Sequence, residues 1–181
     1  MDYAAGLTDL VLAVAALGGG LGVIKRGERV GGLGLILLGL AAGLGAVRFC
    51  LWADAAVLHD PASWMAGVIG LPLVGLGMVG RSWSIPEGAK WVAVAMLIVV
   101  AAAFPDHEEY RVAAAGAGML GGLVASAVGR RWSGVGGCVL VLAAGLALPP
   151  VCDALGVDFI PSFHLVMAVA AWLLSRGLSP R

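Results

Sequence analysis

The sequence predicts an all-α integral membrane bundle of seven transmembrane helices, with the N-terminus outside and the C-terminus inside. Three observations predict it. The chain is 61% hydrophobic and only 12% charged, far from the composition of a soluble domain. Its apolar residues fall in seven nearly continuous runs, and the spaces between them are too short to hold a soluble domain, so residues 1–181 read as one polytopic domain. The six loops also alternate in charge. Lys25, Arg26 and Arg29 fill the first, Asp54 and Asp60 the second, and Arg81 and Lys90 the third. Asp106, Glu108 and Glu109 fill the fourth, Arg130 and Arg131 the fifth, and Asp153 and Asp158 the sixth. Arg176 and Arg181 close the chain. Basic loops stay cytoplasmic, so the formal net charge of zero hides a separation of charge across the membrane.

A spanning helix needs about 20 residues at about 1.5 Å each. The first segment, residues 4–24, is expected to be retained as a helix, because Met1-Asp2-Tyr3 lacks the basic start of a secretion signal. The second covers residues 30–52. The third covers 61–80, with Asp60 as N-cap, Pro61 in the first helical position and Pro72 predicting a kink. The fourth, 89–104, is the shortest, and Ser84 with Glu87 around Pro86 reads as a capping box before it. The fifth, 111–128, follows Pro105, Asp106, Glu108 and Glu109, acids that suit the positive end of a helix. The sixth, 133–150, is expected to stop at Pro149-Pro150, and the seventh, 160–178, to start at Pro161-Ser162. Trp52, Trp64 and Tyr110 near one boundary, and Trp83, Trp91, Trp132 and Trp172 near the other, form two interfacial aromatic belts.

Glycine is the packing residue. Gly39 with Gly43, and Gly118 with Gly122, have the small-xxx-small spacing that lets membrane helices approach closely, within the chain or in a homo-oligomer. Val30-Gly31-Gly32 with Ala41-Ala42-Gly43-Leu44 resembles Val135-Gly136-Gly137 with Ala143-Ala144-Gly145-Leu146. Segments 1–3 and 5–7 would then be parallel repeats around a linker helix, a 3+1+3 plan found in some small transporters. Cys50 and Cys152 fall on the outer side, where a bridge is conceivable. Cys138 reads as simple packing.

Ionisable groups inside membrane segments are functional candidates. Asp9 lies about 7 Å into the first segment at 1.5 Å per residue. Arg48 lies about one turn inside the outer end of the second, and His164 occupies the first turn of the seventh. All three map to the outer leaflet, which predicts an outward pocket between segments 1, 2 and 7. There Asp9 and Arg48 would pair, since a lone buried charge is costly. Thr8 adds a hydroxyl, and Asp54 joins the ligand-binding set from the second loop. Asp9 and His164 are the candidate catalytic pair, His164 as base or donor. His59 and His107 read as exposed loop histidines.

Several classes are excluded. The chain has no Asn and no Gln, so it has no N-glycosylation site and no carboxamides to recognise sugars. Lys25 and Lys90 both fall in loops, so no retinal lysine lies in the last segment. Gly18-Gly19-Gly20-Leu21-Gly22 lies inside a membrane segment, not after a strand, and is no dinucleotide fingerprint. No basic soluble face suggests nucleic acid. His164 is followed at i+4 by Ala168, no HExxH occurs, and Arg48 nearby would repel a cation; no metal or cofactor is assigned.

Three stretches carry a resemblance. Leu7-Thr8-Asp9-Leu10-Val11-Leu12-Ala13, residues 41–49, and Phe163-His164-Leu165-Val166 through Ala170-Ala171-Trp172-Leu173-Leu174-Ser175-Arg176-Gly177 resemble an uncharacterised family of small bacterial polytopic proteins. Its seven-helix layout is similar to that of the superfamily of alkaline ceramidases, progestin/adiponectin receptors and lysoplasmalogenases. The resemblance implies a metal-dependent hydrolase acting on lipids within the bilayer. Carried over by residue, only Asp9 and His164 correspond; Arg48 stands where the small family commonly has a histidine, and the second histidine of the ceramidase pattern is missing.

The expectation is therefore an inner-membrane protein that binds or processes a lipid or other amphiphile in an outward pocket, with membrane lipids as partners. Arg48 would hold an anionic head group, oriented by Asp9. A transporter built from two three-helix repeats and a non-catalytic accessory subunit are the alternatives.

Overall fold

The computed structural model describes residues 2–103 and 107–179. Among the described residues the chain is helical and contains no strand. Eight helices run in order: α1 Tyr3–Lys25, α2 Arg29–Cys50, α3 Ala53–Trp83, α4 Glu87–Ala103, α5 Glu108–Val128, α6 Trp132–Leu146, α7 Leu148–Leu155 and α8 Phe159–Leu178. Helices α1, α2, α3, α5 and α8 are each long and apolar enough to cross a membrane, and α6 with α7, bent by 61°, makes a sixth candidate. The outer faces carry large exposed apolar side chains such as Val14, Met96, Val99 and Leu120. Such a surface suits lipid and would aggregate in water. This is the helix set of an integral membrane protein.

Six helices close a ring in the order α1, α2, α3, α5, α6, α8, and α8 returns to α1. Helix α4 packs on the outside, against α3. The ring is held by backbone-to-backbone approaches at glycine. A Cβ on Gly20 would lie 2.7 Å from the Gly32 carbonyl oxygen, one on Gly34 2.4 Å from that of Gly70, and one on Gly75 2.0 Å from that of Gly118. Gly77 and Gly177 meet the Cα atoms of Gly31 and Gly134 in the same way. Where lipid and helix are equally apolar, this close fit supplies the cohesion that hydrophobic burial supplies in water. Gly39, Gly118 and Gly122 are in contact within the chain, whereas Gly43 faces open space. At the basic-loop end the ring axis is filled by Met78, Leu174 and Leu178, all fully buried.

Several helix ends differ from expectation. Helix α2 ends at Cys50, not Trp52. Helix α3 begins eight residues before Pro61, so Asp60 is no N-cap. The helix tolerates Pro61 because Val57, whose carbonyl loses its partner, is exposed. The carbonyl freed by the missing N–H can reach solvent there. Pro72 is absorbed by a π-helical turn, Ala66–Gly70, just before it, a usual way to accommodate a broken hydrogen-bond ladder. Ser84 takes a left-handed conformation (φ 52°) that closes α3, so it is a C-cap and not part of a capping box. Pro149 and Pro150 sit in the first turn of α7 and begin it, where their missing N–H groups cost nothing; the chain breaks earlier, at Ala147. All three cysteines are free, which excludes the Cys50–Cys152 bridge here, and Cys138 is buried against Met78. The expected end of the fourth segment at Phe104, with Pro105, Asp106 and Arg181, lies outside the described residues.

Lys90 is not a loop residue. It lies in the first turn of α4, 5% exposed, with Nζ 3.0 Å from a Glu28 carboxylate oxygen and 2.6 Å from Glu87. Glu28 is itself 2% exposed and caps α2 by accepting from the Gly31 N–H. This buried cluster ties α4 to the start of α2.

Candidate functional site

The ring encloses a cavity of about 510 Å³ at the end bearing the acidic loops. All six ring helices line it. The walls are apolar: Leu12, Leu38, Met119, Val141 and Met167 among others. The polar lining is Asp9, His59, Ser63, Glu108, Arg111 and His164. Volume and lining are those of a small-molecule site, an apolar chamber with a few placed polar groups.

Asp9 and His164 come together as a pair. Asp9 projects from α1 and is 2% exposed; His164 projects from the second turn of α8. The His164 Nδ1 lies 3.3 Å from the Asp9 Oδ1, yet that nitrogen and the Asp9 Oδ2 are both buried without a hydrogen-bond partner among the described residues. Orphaned buried acceptors of this kind are uncommon and costly. Space for the carboxylate exists because residue 45 is glycine. A Cβ there would stand 2.1 Å from the Asp9 Oδ2 and 3.1 Å from the His59 Nε2.

His59 therefore belongs to the site and is not an exposed loop residue. Its Nδ1 is 3.0 Å from the Arg48 Nη1 and 3.2 Å from the Asp60 Oδ1, which orients the ring from behind. Phe163 stacks edge-on with His164 at 5.8 Å and is tilted against Phe159 at 5.5 Å; both rings line the cavity. Near the mouth the Arg111 Nε donates to the Glu108 Oε1 at 3.0 Å.

The other expected site residues lie elsewhere. Arg48 does not pair with Asp9; its Nη1 is 2.5 Å from Asp60 and it does not line the cavity. Helix α3 starts early enough to bring Asp60 to Arg48 first. The Thr8 hydroxyl donates back to the Ala4 and Ala5 carbonyls of its own helix. Asp54 sits in an exposed turn, accepting from the Trp52 Nε1 at 3.3 Å. His107, an N-cap residue of α5, is exposed and does not line the cavity. No group of three metal-ligating side chains is present among the described residues.

Sequence reasoning missed His59, Ser63 and the Glu108–Arg111 pair. The signal was the spacing of His59, Ser63 and Gly67, at i, i+4 and i+8 on one helical face. Starting the helix at Pro61 hid it. Comparison with protein-family models, with curated proteins and with solved structures finds no match.

Proposed function

We propose that this chain is a multi-pass inner-membrane protein of seven crossings, N-out and C-in, whose ring cavity binds or processes an amphiphilic small molecule or lipid. The two further crossings would be α4 and the bent pair α6–α7. Seventeen residues of α4 give about 25 Å of helix, close to the hydrocarbon thickness. The orientation rests on the alternating loop charge. Because Lys90 is neutralised by two acids, the net basic character of that end rests on Lys25, Arg26, Arg29, Arg81, Arg130, Arg131, Arg176 and Arg181.

One observation carries the functional reading: Asp9 and His164, each with a buried polar atom that has no hydrogen-bond partner among the described residues, line an apolar-walled chamber of ligand size. An amphiphile meets both demands, its apolar body filling the walls and its head satisfying the acceptors. If the occupant is processed, Asp9 and His164 are the pair placed to move a proton. A second reading, a transporter, draws on the ring order. The first three and last three segments form the ring and the fourth stands outside, as a 3+1+3 repeat would arrange them.

The test uses the whole protein in phosphatidylcholine nanodiscs and a fluorescent short-chain amphiphile. Saturable, one-to-one binding is expected, and Ala115→Trp, which fills the cavity, should abolish it without loss of helicity. Binding that is non-saturable, or untouched by that substitution, refutes the cavity reading. Substrate-dependent flux into liposomes would decide for the transporter.

A further inference from the structure

The charge lining the cavity is more specific than its shape. Three formally charged side chains line it: Asp9, Glu108 and Arg111. Glu108 and Arg111 neutralise each other. The nearest other guanidinium, that of Arg48, is taken by Asp60. No lysine or arginine stands against Asp9, the most buried of the three; its ion-pair neighbour is His164, whose Nδ1 at 3.3 Å is a counter-charge only when protonated. A carboxylate in apolar surroundings is poorly stabilised unless a counter-charge and hydrogen-bond donors reach it.

The unsatisfied atoms also share one chemical sense. The Asp9 Oδ2 can only accept when ionised, and the His164 Nδ1 accepts in one neutral tautomer. An occupant that satisfies both must donate. A carboxylate or phosphate head donates nothing and would face Asp9 with like charge. An ammonium donates through every N–H and carries the missing positive charge. The Phe159 and Phe163 rings also line the cavity, and an aromatic face attracts a cation.

We infer that the cavity selects a hydrophobic amine, held as its ammonium by Asp9 with His164 accepting a second N–H. This rests on the amphiphile reading and reverses the polarity that the sequence suggested, in which Arg48 would have held an anionic head.

Three probes with one apolar body test it: 4-phenylbutylamine, 4-phenylbutanol and 4-phenylbutyrate, titrated calorimetrically into the whole protein in phosphatidylcholine nanodiscs. The amine should bind at least tenfold more tightly than the alcohol, and the carboxylate most weakly. Asp9→Asn, which is isosteric, should weaken the amine far more than the alcohol and so close the gap between them. The wild-type series stands by itself should that variant fold poorly. Equal binding of amine and alcohol, tighter binding of the carboxylate, or amine binding indifferent to Asp9→Asn overturns the amine inference while leaving the amphiphile cavity intact. Failure of all three probes in the wild-type protein overturns the cavity reading itself, and the amine inference with it.

Discussion

Gly45→Ala should separate binding from folding, and its size can be worked from the geometry. The added methyl would stand 2.1 Å from the Asp9 Oδ2 and 2.8 Å from its Cγ. Non-bonded carbon and oxygen rest at about 3.3 Å or more, near the optimum for dispersion contact, so the carboxylate must move by about 1 Å. Its Cβ and backbone can stay, because the clash is with the far end of a side chain that has two rotatable bonds. Overpacking costs about 1–3 kcal/mol, and alanine in a helix interior returns about 1 kcal/mol over glycine. The net loss of stability is therefore about 0–2 kcal/mol. Binding should suffer more: a hydrogen bond to a charged group is worth about 1.5–3 kcal/mol, a loss of about 10- to 150-fold for 4-phenylbutylamine. Thermal unfolding followed by tryptophan fluorescence and calorimetric titration read the two quantities separately. A variant that folds and still binds the amine as wild type does would show that the carboxylate beside residue 45 is not the contact.

Two further predictions concern what holds the bundle. Gly75→Ala places a Cβ 2.0 Å from a backbone oxygen of α5, where no side chain can yield; it should cost at least about 1–3 kcal/mol in thermal unfolding. Gly43→Ala, with nothing within 4 Å of the new methyl, should gain up to about 1 kcal/mol from helix propensity, and similar effects at the two positions would refute ring closure through glycine. Lys90→Met leaves Glu28 buried without its cation and should cost about 3–5 kcal/mol, most of it recovered in Glu28→Gln/Lys90→Met. Amide exchange should rise first in α4, and a silent Lys90→Met would show the cluster to be solvated.

The sequence carried the helical class and the two ends of the bundle because both rest on runs: apolar stretches of spanning length, and loop charges alternating in sign. It also placed Asp9 and His164 in one layer, since depth along a helix follows from counting residues. It could not place side chains around a helix axis relative to a neighbour, and the site depends on that. Arg48 was at the right depth, but Asp60 reached it first once α3 began at Ala53. Proline misled at two points for one reason. A proline tells where an N–H is missing, not whether the helix begins, ends or continues there. Pro61 lies within α3, and Pro149-Pro150 open α7. Glycine misled less, because its use is steric: Gly118 and Gly122 sit on their neighbours as their spacing suggested.

The arrangement of charge around Asp9 argues that the vacancy in its pairing has a purpose. A buried carboxylate serving only to pack would be better replaced by an apolar side chain of similar size. Where this chain buries a charge for structure, it pairs it: Lys90 lies between two carboxylates, and Glu28 caps a helix as well. Two arginines are close enough to matter at the cavity end, and each is held by a different acid, Arg48 by Asp60 and Arg111 by Glu108. The Arg48–Asp60 pair even touches His59, which lines the same cavity as Asp9. Both guanidinium groups are thus held by other acids and not by Asp9, which is left with His164 alone as its ion-pair neighbour among the described residues. The stability forgone at Asp9 is recovered only when a donor enters the chamber, and that makes the affinity of the site and the instability of its empty form two readings of one free energy. On that ground the amine should raise the melting temperature of the wild-type protein, and it should do so less in Asp9→Asn, whose empty form is already the more stable.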